Sequence, residues 1–326
     1  MKRLTYILAL LPLLFASCEK VIDFDMEETE RFVVLNSRAE TDSLVSAHLT
    51  YSRFFLDNGT FENVTDATAW LDVNGTIYSG AHSSKGNYTF PYVPKPGDSL
   101  TMHVQVPGRD ELTAAARMPL TAGISNLSYV AVHDSSVYEW EVYYTDRINV
   151  TFTLSDPGSE ENYYRLRVLW DDTALCHQWT DRFQDTLFED QYDRWYTVYT
   201  IQDLSLVNNT DLGSLIDNEN GQYDGSSLLF TDANINGKSH PILLQVHPPV
   251  DHGELLVSSH PNITIFVESL SRDYFLYLKT AMAQSDEGLN SFFTEPTRIH
   301  SNVHGGRGIF GAVSTSKATI RTTLKP

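Results

Sequence analysis

Short segments in which apolar and polar residues alternate recur along most of this chain. Apolar side chains occupy every second position in residues 45–51, 67–73, 100–106, 148–154 and 263–267. Because successive side chains of a strand point to opposite faces, this period of two indicates strands with one buried face and one solvated face. A chain built from many such segments is restricted to layered or closed β architectures.

Turn-forming sequences separate these segments. Asn74-Gly75 lies between two alternating segments and predicts a two-residue hairpin, since both residues tolerate a positive φ. The sequences Pro-Gly-Asp at 96–98 and Asp-Pro-Gly at 156–158 predict further turns. Short strands with this punctuation are typical of sandwiches, so we predict two β-sandwich-like domains, at 31–119 and 120–326.

One segment of the second domain departs from the strand pattern. Residues 271–284 contain no Gly or Pro and are rich in Leu, Met and Ala, which favours a helix. Ser271 is placed to cap its amino end, and Gly288 follows its carboxyl end. We therefore predict a mainly β chain with one α-helix, at about 271–284. The acidic, aromatic stretch at 171–225 is predicted to hold strands joined by long loops.

The amino-terminal residues carry an export signal. Lys2 and Arg3 precede an apolar run at 4–15, which leads to small residues and a cysteine. This order of basic, apolar and small residues is that of a signal peptide. The apolar run is also shorter than the roughly 20 residues that a membrane-spanning helix needs. We predict a signal peptide at 1–17 and an acidic tether at 18–30.

The sequence Phe-Ala-Ser-Cys at 15–18 resembles the bacterial lipobox, in which the cysteine is acylated and becomes the first residue of the mature protein. The resemblance implies that Cys18 carries fatty acids such as palmitate, and several acyl chains on one residue give a durable anchor. Enteric bacteria mark inner-membrane retention with Asp after the cysteine, whereas Glu19 follows here. The outer membrane is therefore expected, on either its periplasmic or its cell-surface face. The alternative is an ordinary signal peptide with an accidental cysteine.

Net charge limits the kinds of partner that we expect, and cysteine content limits the disulfides that can form. The formal net charge is −19, the same sign as nucleic acids and anionic membrane surfaces, so we expect no nucleic acid partner. Contact with the membrane is expected through the lipid alone. The chain has two cysteines, and lipidation of Cys18 leaves Cys176 without a disulfide partner. The apolar neighbours of Cys176 favour a buried thiol.

Several segments resemble the DUF4249 family, a family of Bacteroidetes lipoproteins of uncharacterised function. The resemblance covers nearly the whole mature chain, and the segments that carry it are 18–23, 32–36, 270–275, 293–296, 301–303 and 305–311. Genes of this family often neighbour those of TonB-dependent outer-membrane transporters, which implies an accessory role in uptake. We also expect Gly306 and Gly308 to follow backbone paths that a Cβ disfavours, and Phe310 to fill the core.

Aromatic residues are concentrated between Trp170 and Tyr199. Trp and Tyr are frequent anchors of protein interfaces and of sugar-stacking platforms. We single out Trp179 and Trp195 as candidate partner-contact residues. The alternative is that these aromatics fill the core between sheets, because several of them fall at alternate positions.

The sequence carries neither a Gly-x-Ser-x-Gly nucleophile motif nor a His-Glu-x-x-His zinc motif. His247, Asp251, His252 and Glu254 offer metal-ligand atoms, but prolines place them on a loop without an organising spacing. No catalytic residue, metal or cofactor is predicted. The expected function is that of a non-enzymatic outer-membrane lipoprotein, a binding or accessory subunit associated with a TonB-dependent transporter. The alternative is a surface adhesive or glycan-binding structural lipoprotein, and an exported hydrolase comes third.

Overall fold

A computed structural model gives the architecture of the chain. It describes residues 31–54, 57, 59–138, 141–158, 160–179, 186–197, 199–203, 206, 216–217, 222–247, 255–258, 260–287 and 298–323. The described residues of Phe32–Ser52 and Thr60–Pro326 form one compact unit, and those of Met1–Arg31 and Arg53–Gly59 form another. In the smaller unit, the Arg53 guanidinium donates a hydrogen bond to the carbonyl of Gly59.

Most of the described chain is extended. The strands are β1 (Val33–Glu40), β2 (Ser46–Tyr51), β3 (Thr68–Val73), β4 (Thr76–Ser79), β5 (Ala81–Ser84), β6 (Asn87–Thr89), β7 (Ser99–Gln105), β8 (Leu112–Arg117), β9 (Gly123–Tyr138), β10 (Glu141–Ser155), β11 (Tyr163–Trp179), β12 (Thr186–Tyr196), β13 (Tyr199–Ile201), β14 (Ile216–Asp217), β15 (Gln222–Gly225), β16 (Leu228–Thr231), β17 (Ser239–Val246), β18 (Leu255–Ser258), β19 (Asn262–Leu270), β20 (Val303–His304) and β21 (Arg307–Arg321). Between β19 and β20 lies helix α1 (Arg272–Glu287). The predicted mainly β fold with one helix is confirmed for the described residues.

The strands form three sheets. The largest has ten strands in the order β12-β11-β19-β21-β1-β2-β6-β5, with β16 and β18 also paired to β11. A six-stranded sheet has the order β14-β15-β13-β17-β10-β9, and a five-stranded sheet has the order β20-β8-β7-β3-β4. In the largest sheet β1 lies parallel to β21, with Val34 opposite Arg307 and Glu40 opposite Val313. The two ends of the described chain therefore meet at the centre of this sheet.

The first core lies between the ten-stranded and five-stranded sheets. It includes Leu35 and Leu49 from the large sheet and Leu71 and Leu100 from the small one, all buried. Face-to-face packing of two sheets around such a core is the sandwich arrangement. Strand β21 also contributes Phe310 to this core, although it lies about 200 residues further along the chain than most of its neighbours there.

The second core lies between the ten-stranded and six-stranded sheets. Leu166 and Ile265 come from the large sheet, and Val150 and Ile242 come from the six-stranded sheet. The predicted boundary at 119/120 falls between residues of the two cores. The division into domains at 31–119 and 120–326 stays a prediction, and the contribution of β21 to the first core is a link between those segments that the sequence did not reveal.

Helix α1 packs on the opposite face of the ten-stranded sheet. Phe310 of β21 points into the first core, whereas its neighbour Ile309 lies in a third core with Tyr274 and Phe275 of the helix. Because successive side chains of a strand point to opposite faces, β21 contributes side chains to both faces of the sheet. Both faces of its first half are buried, so this part shows little polar alternation. From the sequence alone, the alternation at 318–324 predicts a final strand, which covers only the last residues of β21.

The helix begins at Arg272, one residue later than predicted, and ends at Glu287, three residues later. Ser271 precedes it, and the carbonyl of Ser271 accepts the helical hydrogen bond of Phe275 at 3.0 Å. The Ser271 hydroxyl, which was expected to cap the helix, accepts a hydrogen bond from the Ala312 amide at 3.1 Å. This side chain therefore ties the start of the helix to β21. Within the described residues, no helix combines the length and apolar character needed to cross a membrane.

The Asn74-Gly75 hairpin is confirmed. It joins β3 to β4, with Val73 opposite Thr76, and φ is 51° at Asn74 and 87° at Gly75. A turn with a positive φ at both central residues has a backbone twist that matches the twist of the flanking strands.

Candidate functional site

A cavity of about 440 Å³ opens beside helix α1, on the face of the ten-stranded sheet that the helix packs against. This volume is typical of small-molecule binding sites. Strands β1, β2, β6 and β21, the β1–β2 turn and the helix all contribute to it. Its lining residues are Asn36, Ser37, Arg38, Glu40, Ser43, Leu44, Ser46, Ala47, His48, Asn87, Tyr274, Tyr277 and Ile309.

Two stacked tyrosines form the helical wall of this cavity. The rings of Tyr274 and Tyr277 have centroids 6.2 Å apart and planes 10° apart. Tyr274 packs over Gly311 of β21, where an added Cβ would lie 2.5 Å from the tyrosine ring. The missing side chain at 311 therefore lets the helix approach the sheet closely and sets the position of the aromatic wall.

The opposite wall carries the charged groups of the cavity. The Arg38 guanidinium lies 2.5 Å from the Glu40 carboxylate, both on β1. Burial alone would lower the pKa of Arg38, but a hydrogen bond with Tyr274 and the charges of Glu40 and Glu268 raise it instead. The guanidinium is therefore charged, with Glu40 beside it on β1.

A buried ion-pair group lies further along the same face of the sheet. Arg165 and Arg167 of β11 both donate hydrogen bonds to Glu268 of β19, whose side chain is only 5% exposed. The Arg167 guanidinium also stacks over the ring of Tyr196, 4.0 Å from its centroid. Since Arg165 and Glu268 face each other in the β11–β19 register, this group stabilises the pairing of the two strands.

A second cavity, of about 420 Å³, lies where β8, the β10–β11 turn and the start of helix α1 come together. Arg117 and Glu160 from opposite sides of it form an ion pair at 3.0 Å. Burial and a hydrogen bond with Glu161 raise the pKa of Tyr163, which also lines this cavity. Two of its charged groups are thus already engaged with each other.

A comparison with known protein families assigns the chain that contains these cavities to a family. The sequence model of a family described as "Domain of unknown function (DUF4249)" matches residues 19–319. The chain belongs to the DUF4249 family. Its match includes the segments 270–275 and 305–311, which supply Tyr274, Ile309 and Gly311 of the cavity beside helix α1. A comparison with curated proteins finds no match.

The glycine-rich segment of this DUF4249 chain has the conformation expected at Gly308. Gly308 has a φ of +117°, and an added Cβ would lie 2.0 Å from the carbonyl oxygen of Leu35. At Gly306 only a close backbone approach disfavours a side chain, since a Cβ there would lie 2.5 Å from the carbonyl oxygen of Val33. Phe310 is completely buried, as predicted.

We expected no Gly-x-Gly-x-x-Gly motif in this chain, and that expectation was wrong, because Gly306, Gly308 and Gly311 have this spacing, which is typical of dinucleotide-binding loops. Such a loop follows a strand and opens a helix, so that its amides reach a pyrophosphate. Here Gly306 immediately precedes β21, and the other two glycines lie within that strand. The spacing in the DUF4249 chain therefore reflects packing against Leu35 and Tyr274.

The predicted site residues of the DUF4249 chain fall largely beyond what the structure describes. Cys18 lies outside the described residues, and so do the side chains of Trp179 and Trp195. The backbones of these tryptophans belong to β11 and β12, where Trp195 pairs with Trp170. Of the described aromatics in this stretch, Trp170 and Tyr199 are buried in the second core, whereas Tyr196 is exposed. The core-filling interpretation is correct for the first two.

Two histidines have structural partners, and one of them, His247, was considered as a metal ligand. His247 accepts a hydrogen bond from Thr197 through its carbonyl, and its ring nitrogen lies 3.1 Å from the Thr200 hydroxyl. His300 bonds Asp273 of helix α1 at 2.8 Å. Residues 251, 252 and 254 lie outside the described residues. Within the described part of the chain, no group of three or more His, Cys, Asp or Glu residues could hold a metal ion.

The cavity beside helix α1 of this DUF4249 protein was not predicted. Arg38 and Tyr274 are about 240 positions apart in the sequence and meet only because β1 pairs with β21, beneath the helix. Arg38 lies on the solvated face of an amphipathic strand, where the sequence pattern predicts a polar residue and no more. The one available signal was Tyr274, which lies within a segment that carries the family resemblance.

Proposed function

We propose that this DUF4249 protein is a non-enzymatic lipoprotein of the outer membrane that binds a ligand for a TonB-dependent transporter or braces that transporter. Residues 1–18 support the lipid anchor at Cys18, and the family resemblance supports the transporter as partner. The observation that carries the binding function is the cavity beside helix α1. It brings together an aromatic wall, an oriented guanidinium and side-chain amides.

Two of the titratable groups in the cavities are poorly suited to acid–base catalysis. General acid–base catalysis requires a group whose pKa lies near the working pH. In the two cavities the pKa values of Arg38 and Tyr163 are both raised, which moves them away from neutrality. The ion pairs Arg38–Glu40 and Arg117–Glu160 orient their members, as a binding site requires.

Copurification tests this function. A carboxyl-terminally tagged full-length protein, purified from membranes in mild detergent, should retrieve a TonB-dependent transporter that mass spectrometry identifies. Cys18→Ala should abolish palmitate labelling, release the protein from the membrane and lose the transporter. Ser17→Ala, which keeps a small residue before the cysteine, is the matched control and should behave as wild type. Equal labelling of Cys18→Ala, or a wild-type protein that retrieves no transporter, would contradict the proposal.

A surface adhesive or glycan-binding role is the second candidate. One observation favours it: on the five-stranded sheet, the rings of Trp70 and His103 stack with centroids 5.1 Å apart and planes 5° apart. Both rings are partly exposed, and Ile77 on the adjacent strand is 65% exposed. Suppose that cells lacking the gene lose attachment to a glycan-coated surface, and that expression of the Trp70→Ala variant does not restore attachment. The adhesive role then replaces the transporter accessory role.

A further inference from the structure

We propose that the cavity beside helix α1 binds an uncharged saccharide. This inference deepens the proposed binding function and rests on it. Four features of the cavity lead to this ligand class: its charge balance, its hydrogen-bonding groups, its aromatic wall and its preorganisation.

The charge balance of the lining selects an uncharged ligand. The lining contains one arginine, Arg38, and one carboxylate, Glu40, which lie 2.5 Å from each other. A phosphate or carboxylate ligand would need cationic groups in excess, as in anion sites built from Arg clusters. A divalent cation would need several oxygen ligands with negative charge, whereas the lining has a single carboxylate. The ring of His48, which also lines the cavity, lies within hydrogen-bond distance of the Asn63 side chain and the carbonyl of Lys85.

The hydrogen-bonding groups suit a ligand rich in hydroxyls. Asn36 is exposed, and its side-chain amide has no hydrogen-bond partner among the described residues, so it offers two donors and one acceptor. Beside it, Arg38 offers further donors and Glu40 offers acceptors. Each of these three groups is planar and presents two polar atoms side by side. Adjacent hydroxyls of a sugar, which both donate and accept, match such paired atoms.

The aromatic wall suits the apolar face of a sugar ring. Tyr277 is partly exposed and stacks on Tyr274, which is itself buried. Aromatic rings present a broad apolar surface with a polar rim, and a pyranose ring has C–H groups on one face and hydroxyls at its edge. A sugar can therefore contact Tyr277 with its C–H face while its hydroxyls reach the polar groups of β1.

The cavity is also preorganised. Tyr274 is seated on Gly311, and Arg38 is paired with Glu40. Side chains that are ordered before binding reduce the entropy cost of association, which matters most for weakly binding hydrophilic ligands.

Calorimetric titration tests the inference. The mature lipidated protein, in a detergent whose head group is not a sugar, is titrated with glucose, galactose, mannose and N-acetylglucosamine, and separately with inorganic phosphate. At least one sugar should bind saturably with a Kd of about 1 mM or tighter, and phosphate should not bind. Absence of saturable binding by all four sugars, or saturable binding of phosphate at this cavity, would overturn the proposal.

Variants locate the binding. Asn36→Ala and Tyr277→Ala should each weaken sugar binding about tenfold or more. Tyr277→Phe, which keeps the ring, should retain most of it. Asn262→Ala, an exposed asparagine on β19 outside the cavity, is the matched control and should bind as wild type. Unchanged thermal unfolding shows that the variants are folded. Undiminished sugar binding by both folded cavity variants would overturn the assignment.

The same variants separate this inference from the proposed function. Loss of sugar binding with normal retrieval of the transporter supports the cavity assignment and leaves the accessory role intact. If wild type retrieves the transporter but binds none of the sugars, the saccharide inference is wrong and the accessory role stands. If the cavity binds a sugar but the wild-type protein retrieves no transporter, the saccharide inference is supported and the proposed transporter partner is refuted.

Discussion

A Cβ atom added to Gly308 would lie 2.0 Å from the carbonyl oxygen of Leu35, the residue opposite it in the parallel pair of β1 and β21. Gly308 also has a φ of +117°, in the region that side chains disfavour. The positive φ and the close contact are therefore two independent reasons why position 308, in the pair of β1 and β21, requires a glycine.

Gly308→Ala should lower the free energy of unfolding by about 3 kcal/mol or more, since a strained φ alone costs about 1–3 kcal/mol and the contact adds to it. Gly97→Ala is the matched control, because Gly97 has a φ of +91° but nothing within 4 Å of an added Cβ. Its cost should be about 1–2 kcal/mol, the strain of a left-handed alanine alone. Urea denaturation measures both, and equal losses would show that Leu35 moves away at little cost.

Phe310→Ala should cost about 3–5 kcal/mol, as expected when a buried aromatic core residue is truncated. Phe310 is 0% exposed, and its backbone makes two hydrogen bonds of 2.9 Å with the Asn302 side chain, which limits collapse of the cavity left behind. Ile77→Ala, at an exposed position, should change stability by less than about 0.5 kcal/mol. A cost below about 1 kcal/mol at Phe310 would mean that the first core rearranges around the gap.

Glu268→Gln should lower stability by about 3–5 kcal/mol, because it leaves two buried guanidinium groups without their carboxylate. Glu160→Gln is the matched control, since Glu160 also pairs with an arginine but the Arg117 side chain is 66% exposed. Its cost should be below about 1 kcal/mol. Chemical denaturation of both variants at low and high salt checks the difference. A loss at Glu268 no larger than that at Glu160 would contradict a structural role for the buried group.

Asp98 should make the stability depend on pH. Burial would raise the pKa of Asp98, but hydrogen bonds from Tyr92, the Lys95 amide and Asn74 outweigh it and hold the pKa below the ordinary 3.8. The same contact raises the pKa of Tyr92 to about 12. A carboxyl group with a lowered folded-state pKa adds stability above its unfolded pKa, and this stability is lost as pH falls through the folded pKa.

Asp98→Asn should therefore destabilise the protein at pH 7, and the difference from wild type should shrink as pH falls below about 3.8. Urea denaturation at pH 7 and at pH 3 measures it. Asp72→Asn, which removes a carboxylate that bonds the exposed Gly75 amide, is the control for general charge effects. A difference between wild type and Asp98→Asn that does not vary with pH would show that the lowered pKa contributes nothing.

The tryptophans chosen from the sequence give a further prediction. The double variant Trp179→Ala, Trp195→Ala should fold normally and lose the copurifying transporter, since truncating an interface Trp often costs about 2 kcal/mol or more. Trp70→Ala, a partly exposed tryptophan of the five-stranded sheet, is the control and should retain the transporter. Unfolding of the double variant would assign both residues to the core. Normal folding with the partner retained would place the contact surface elsewhere.

The local features of the fold were readable because they depend on residues close in sequence. The period of two in 148–154 and 263–267 identified the inward-facing residues, which are buried. Asn74-Gly75 specified its hairpin because the turn requires a positive φ at both central residues, which Asn and Gly tolerate. Helix α1 was located from a short run of good helix formers, and only its ends shifted, where the Ser271 hydroxyl bonds β21 instead of capping the helix.

The sequence by itself determined the strand content, the buried face of most strands, one hairpin, one helix and membership of the DUF4249 family. The tertiary structure decided which strands pair and which side chains converge. Alternation states which face of a strand is buried, but every amphipathic strand presents the same backbone hydrogen-bonding groups to every other. The parallel pairing of β1 with β21, which brings Arg38 and Glu40 close to Tyr274, depends on the close approach of Gly308 to Leu35. That approach involves residues more than 200 positions apart, and such contacts leave no periodic signal in the chain.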